Sequence, residues 1–223
     1  MKKRFIVPSL MLASSLLFGC AASYKPVAPE SITYVKDNSG SPQATLEYHY
    51  NVLTESRNKK YYKKEIKKSF QVVALKITNN TDVDLEYNKN YQLYTGEVVL
   101  NVVPNQVVYT QLKQQAPLYW LYLLLAPVRL YTSTATTNGS TVTSSNTESF
   151  PIGLILGPGI AIGNYAIASS ANSKFKKELD THTIFNKVIK KGETAFMLVG
   201  INSTSFQPIH LRLIKPNNPV SAN

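Results

Sequence analysis

The stretch Phe70–Gln71–Val72–Val73–Ala74–Leu75–Lys76–Ile77–Thr78 (FQVVALKIT) decides the fold of this 223-residue chain. Its apolar run is short, β-branched and nearly continuous, and it stops at Asn79–Asn80–Thr81–Asp82, a cluster of turn-forming side chains. A run too short for a buried helix and too continuous for a half-wet strand belongs at the centre of a sheet. Working outward, Leu46 to Val52 (LEYHYNV) alternates apolar and polar, as a strand with one buried face does. Beyond the turn, Val83 to Tyr87 forms a further strand. Tyr91 to Tyr94, the Thr95–Gly96 turn and Val98 to Val103 read as a hairpin. Near the C-terminus, Val188–Ile189, a Lys190–Lys191–Gly192–Glu193 turn, Thr194 to Ile201 (TAFMLVGI) and Pro208 to Ile214 repeat the pattern. Short strands with turn signals at regular spacing predict an antiparallel sandwich.

The early segment KITNNTDVDLEY and the late segments KKGETAFMLVGI and FQPIHLRL together resemble immunoglobulin-like domains of secreted bacterial lipoproteins. The resemblance covers about half of the mature chain and brings no functional residues with it. The expected fold is therefore mainly β with an α insertion: an antiparallel immunoglobulin-like β-sandwich carrying an apolar helical hairpin. It forms a single domain over 44–223 with the insertion at about 105–180.

The insertion follows from charge and composition. From Gln114 to Ser173 only Arg129 and Glu148 are charged. Two apolar segments lie there, Pro117 to Tyr131 and Phe150 to Asn172, separated by Thr132 to Ser149, where twelve of eighteen residues are Ser or Thr. That separator reads as a mobile loop, and the flanks as a helical hairpin continuing in a helix from about Ile160 to Leu179. On that helix Ala168, Ala171, Phe175 and Leu179 share one face, leaving Lys174, Lys176, Lys177 and Glu178 wet. Gly153, Gly157 and Ala161, and separately Gly159 and Gly163, recur one helical turn apart, which lets backbones approach closely. Such a segment either packs as a second core layer or dips into a bilayer, with Gly153, Gly157, Gly159 and Gly163 as the contact positions. Pro158 and the shortness of the first segment favour packing.

The amino terminus supplies a location. Met1–Lys2–Lys3–Arg4 is a positive leader, and Phe5 to Phe18 is uncharged and mostly apolar: too short to span, suited to a signal peptide over residues 1–19. Leu17–Phe18–Gly19–Cys20 resembles the lipobox of bacterial lipoproteins, with Phe18 bulkier than the small residue usual there. The resemblance implies cleavage after Gly19, a diacylglyceryl thioether on Cys20 and N-acylation of the new terminus. Ala21, where Asp would retain a lipoprotein at the inner membrane, implies the outer membrane, periplasmic face. Cys20 is the only cysteine, so a disulfide framework, a redox pair and a Cys-rich zinc site are all excluded. Residues 20–43, with Pro26, Pro29, Gly40 and Pro42, read as lipidated Cys and tether. Loss of residues 1–19 removes three positive charges and no negative ones, so the formal net charge of +11 falls to +8.

Arg57, Lys59, Lys60, Lys63, Lys64, Lys67 and Lys68, interleaved with Tyr61 and Tyr62, form a basic run. It reads as a solvated inter-strand loop, with contact to anionic lipid headgroups as the sharper expectation, each cation contributing about 1 kcal/mol near such a surface. Export of a lipid-anchored chain speaks against a nucleic-acid partner. His49, His182 and His210 are too far apart in sequence to make a metal motif. No G-x-S-x-G, S-x-x-K or H-E-x-x-H occurs. Gly157–Pro158–Gly159 lacks the Lys and hydroxyl of a phosphate loop, and Asp82 and Asp84 sit in a turn cluster. The expectation is a protein that is not an enzyme, has no cofactor or metal, and acts as an interaction or structural module of the envelope. It meets the membrane through its lipid and binds an envelope protein or anionic headgroups. A membrane-active protein using residues 150–172 and a carrier of apolar ligands are the alternatives.

Overall fold

The computed structural model describes residues 19–37, 42–138 and 141–214. Most of the expected signal peptide lies outside the described residues. In chain order the elements are a 3-10 turn (Pro29–Ser31), β1 (Val35–Lys36), β2 (Ala44–His49), α1 (Val52–Glu55), α2 (Lys59–Lys68) and β3 (Gln71–Asn79). There follow β4 (Leu85–Glu86), β5 (Tyr91–Thr95), β6 (Val98–Val99), β7 (Val102–Val103), α3 (Asn105–Leu112) and a 3-10 helix (Ala116–Leu125). The chain continues with β8 (Leu130–Asn138), β9 (Thr141–Phe150), α4 (Gly153–Thr181), β10 (Val188–Ile189), β11 (Thr194–Ile201) and β12 (Ile209–Leu213). The protein is mainly antiparallel β with helices. Its chain divides into two compact units, Met1–Ala22 with Gln114–Ser170 and Ser23–Lys113 with Ala171–Asn223. The break between the units falls inside α4.

The second unit, the β unit, is organised by the stretch that opened the sequence reading. β3 is central in a five-stranded sheet of order β1-β2-β3-β11-β7. It pairs antiparallel with β11 from Thr78↔Thr194 to Gln71↔Ile201, and on its other side with β2. Strand side chains alternate between faces, so Val73, Leu75 and Ile77 enter one core while Val72 and Ala74 enter another. The first core also takes Leu93 of β5 and Ile209 and Leu211 of β12, members of a three-stranded sheet of order β12-β5-β6. The second core takes Leu53, Tyr61, Val108, Leu112, Phe175 and Leu179 from the helices. Each fully buried aliphatic or Phe contributes about 1.5–3 kcal/mol, far above the few tenths that separate residue propensities, so burial on both faces dictates β3. Gly200 of β11 is required by proximity: a Cβ there would collide with Val108 and come within 2.7 Å of Phe70.

The basic run is not a loop. Residues 59–68 form the helix α2, which buries Tyr61 and Glu65, half-buries Lys60 and Lys64 and exposes Lys59, Lys63, Lys67 and Lys68. The tether is not loose either. Tyr24 and Val27 are buried in the helical core of the β unit, and Tyr24 packs on Tyr61 and Phe175 with ring centroids 5.2 and 5.3 Å apart. The Tyr24 hydroxyl donates to Glu178 Oε2 at 2.5 Å, while the Val27 and Ala28 amides donate to Glu178 Oε1 at 2.8 and 2.9 Å. Glu178 is therefore an internal clamp rather than a wet side chain. Ala168, Ala171, Phe175 and Leu179 are buried as expected, each within its own unit.

The first unit, the apolar unit, corrects the helical hairpin. Its first apolar segment is helical, as the 3-10 helix Ala116–Leu125. The Ser/Thr-rich separator is a β-hairpin, β8 pairing with β9 from Leu130↔Phe150 to Asn138↔Thr141 with an irregularity between Thr136 and Thr137. Threonine is β-branched, and a row of threonines favours the extended backbone that its hydroxyls alone would not reveal. α4 begins at Gly153, earlier than the expected Ile160, and carries Pro158 within its second turn.

Candidate membrane-attachment site

Cys20 is exposed and belongs to the apolar unit. The two residues after it are fixed by amides on either side of the insertion. The Ala21 amide donates to Asn164 Oδ1 of α4 at 2.6 Å, and Asn164 Nδ2 donates to the Ile160 carbonyl at 2.9 Å. The Ala22 amide donates to Gln114 Oε1 at 3.1 Å, and Gln114 Nε2 returns a bond to the Ala22 carbonyl at 2.6 Å. Asn164 and Gln114 are both buried. A buried amide left unpaired costs about 1–3 kcal/mol, so both side chains depend on the segment that follows Cys20. Ala21 and Tyr122 also pack against the small cluster of Ala116, Tyr119 and Ala168.

The same unit turns several of its apolar side chains outward. Leu118, Leu121 and Leu124 of the 3-10 helix are 56%, 61% and 75% exposed; Leu154, Ile155 and Ile162 of α4 lie between 57% and 64%. The reading that these segments pack as a second core layer is corrected for these positions. What the unit does bury is a ridge of small residues. Gly153 is backed by the Leu125 and Ala126 carbonyls, Gly157 has the Tyr122 carbonyl 3.0 Å from where its Cβ would lie, and Ala161 is fully buried. Gly159 and Gly163 meet nothing within 4 Å. The four glycines thus divide: Gly153 and Gly157 admit the 3-10 helix, and Gly159 and Gly163 face open space. By length and composition α4 is long and apolar enough to cross a membrane, with 22% of its most apolar window buried.

The basic residues lie in the β unit. Lys60, Lys64, Lys67 and Lys68 share one face of α2, joined by Lys113 just past α3. Lys64 donates to the Lys113 carbonyl and Lys68 to Gln111 Oε1 at 2.6 Å. Burial, and then the charges of Lys68, Lys113, Lys60 and Lys67, hold the Lys64 ammonium below its ordinary pKa. Arg57, Lys59 and Lys63 point elsewhere on the run and are exposed. Among the described residues none of the seven cations makes an ion pair. Asn58, which would cap α2, instead spends its side chain on the N-terminal segment, accepting from the Lys25 amide at 2.9 Å and donating to the Lys25 carbonyl at 2.7 Å.

The three histidines stay apart, each beside one carboxylate: His49 with Glu55 at 2.8 Å, His182 with Glu30 at 3.7 Å, His210 with Asp37 at 2.9 Å. Among the described residues no three His, Cys, Asp or Glu side chains converge as a metal site would require. Sequence reasoning missed Gln114, Asn164, Asn58 and Glu178, the four side chains that hold the N-terminal segment. Asn164 inside an apolar run, and Asn58 and Glu178 beside lysines, were the available signals; Gln114, next to Gln115, gave none. No family model, no curated protein and no solved structure matches the chain.

Proposed function

We propose that this chain is a lipid-anchored outer-membrane lipoprotein, facing the periplasm, that acts as a non-enzymatic interaction or structural module. The observation that carries the reading is the pair of amide brackets on Ala21 and Ala22, which hold the two residues directly after Cys20, the position a lipobox would make the mature terminus. In this reading the signal peptide is removed, Cys20 carries the acyl chains, and the β unit is an immunoglobulin-like sandwich. Two antiparallel sheets sharing one core support that last point. The crowded lysine face of α2 and Lys113 is the surface offered to anionic headgroups or an acidic envelope protein. Three acyl chains, at about 0.8 kcal/mol per buried methylene, exceed what stable anchoring needs.

The test is the intact mass of the mature protein purified from bacterial envelopes, with its distribution between inner and outer membranes. A mass equal to residues 20–223 plus a diacylglyceryl group and one acyl chain, in the outer-membrane fraction, is the expected result. A mature chain with unmodified Cys20 ends the proposal. Photocrosslinking from Lys64 and Lys67 in the envelope then identifies the partner. The carrier alternative predicts co-purified lipid released only on unfolding.

A further inference from the structure

We propose that the apolar unit lies embedded in the leaflet that receives the acyl chains of Cys20, so that the protein is seated in the membrane interface as well as tethered to it. The inference rests on the lipoprotein reading and names the surface that reading leaves open. Its occupant is lipid acyl chain, for four reasons. Leu118, Leu121, Leu124, Leu154, Ile155 and Ile162 are exposed to an extent that water does not reward: six side chains, each worth about 1.5–3 kcal/mol if buried. Only Arg129 and Glu148 are charged from Gln114 to Ser173, one just before and one within the β8–β9 hairpin, so the 3-10 helix and the part of α4 in this unit carry no charge that resists transfer into hydrocarbon. Cys20 is held to this same unit, one residue from the Asn164 bracket, which brings its acyl chains into the leaflet beside the exposed aliphatics. Trp120 and Tyr165 pair at 5.3 Å between ring centroids, both partly exposed, and Tyr165 follows the bracket residue directly. Rings of this kind favour headgroup depth, the level at which a lipidated terminus sits.

The unit lies in the plane of the interface rather than crossing the bilayer. An upright α4 would carry its N-terminal end inward, and with it the β8–β9 hairpin, whose segment holds twelve hydroxyl residues with Arg129 and Glu148 exposed nearby. Lying flat, to a depth of about 5–10 Å, keeps that hairpin in water while the leucines and isoleucines are covered.

The lone cysteine makes the test direct, because lipidation consumes its thiol. Full-length lipidated protein with Leu124→Cys, Ile155→Cys, Ser149→Cys or Ser203→Cys is labelled with a polarity-sensitive maleimide dye and reconstituted in phosphatidylethanolamine/phosphatidylglycerol vesicles. Circular dichroism verifies each fold. Blue-shifted emission, quenched by brominated lipids, at positions 124 and 155, with water-like emission at 149 and 203, is the expected result. Water-like emission at 124 and 155 overturns embedding while leaving the anchor intact. Membrane-protected label at 149 overturns the flat seating. Labelling of the unsubstituted mature protein means a free Cys20 thiol, which brings down the anchor reading itself.

Discussion

In the β unit β3 places Val72, Val73, Ala74, Leu75 and Ile77 at no more than 1% exposure, whereas the equally apolar Leu118, Leu121 and Leu124 of the apolar unit stand more than half exposed. Both stretches would score alike on hydrophobicity alone. They differ in what surrounds them in sequence. β3 is flanked by strands and helices that alternate polar with apolar residues and can offer a dry face; the 3-10 helix Ala116–Leu125 is apolar at every position, with no polar face to turn outward. A chain in water buries what its other segments can cover. The apolar unit buries its small-residue ridge, the Ala116–Tyr119–Ala168 cluster and the two bracketing amides, and leaves these leucines open, the surface that the proposed membrane seating would cover.

The largest effect that tests this comparison is at Phe175, fully buried between Tyr24 and Tyr61, with a ring centroid 4.7 Å from that of Tyr61. Phe175→Ala should cost about 3–5 kcal/mol in urea unfolding, while Leu124→Ala should cost under about 0.5 kcal/mol. Equal costs would erase the distinction between the units.

Next is Glu65, buried in the helical core of the β unit with its carboxylate accepting from the Val72 amide at 2.7 Å. Burial pushes its pKa from 4.5 up to about 7, against the lowering effect of that hydrogen bond. The folded state therefore holds a proton that the unfolded chain releases between about pH 4.5 and 7. Stability from this group is complete below the lower value and is lost as pH rises through the upper one, by on the order of 3 kcal/mol. Glu65→Gln should flatten that slope and stabilise the β unit at pH 8. An unchanged pH profile of thermal unfolding would show that Glu65 ionises without penalty.

The smallest effects distinguish the glycines. Gly153→Ala pushes a methyl into the Leu125 carbonyl and should destabilise the apolar unit by about 1–3 kcal/mol. Gly163→Ala meets open space and should stabilise α4 by about 0.5–1 kcal/mol through helix propensity. Opposite signs in hydrogen exchange across 116–165 are expected; the same sign at both would break the division of the stripe.

The strands of the β unit were legible because their burial writes a period-two or continuous apolar pattern into the sequence. α2 was not, because the position one turn after Tyr61 on its buried face is Glu65, and a carboxylate in a core position hides the helical period. The Thr-rich hairpin was obscured by composition: hydroxyls suggest solvation, while the β-branching that sets the backbone is a property of Thr and not of Ser. The small-residue spacing of Gly153 and Gly157 did foretell close backbone approach, yet nothing in the spacing distinguishes them from Gly159 and Gly163. Which glycines meet a neighbour depends on where the 3-10 helix lies. The N-terminal segment read as a tether because its prolines break periodicity, and its four polar holders are distant in sequence.

The brackets on Ala21 and Ala22 also set a working radius. A free tether of residues 21–43, drawn out, would let a domain patrol roughly 80 Å from its lipid. Pinned at Ala21 and Ala22, the apolar unit leaves a lipid on Cys20, as proposed, about one peptide bond of travel from itself. If Cys20 carries lipid as proposed, a protein built this way samples partners by lateral diffusion in two dimensions.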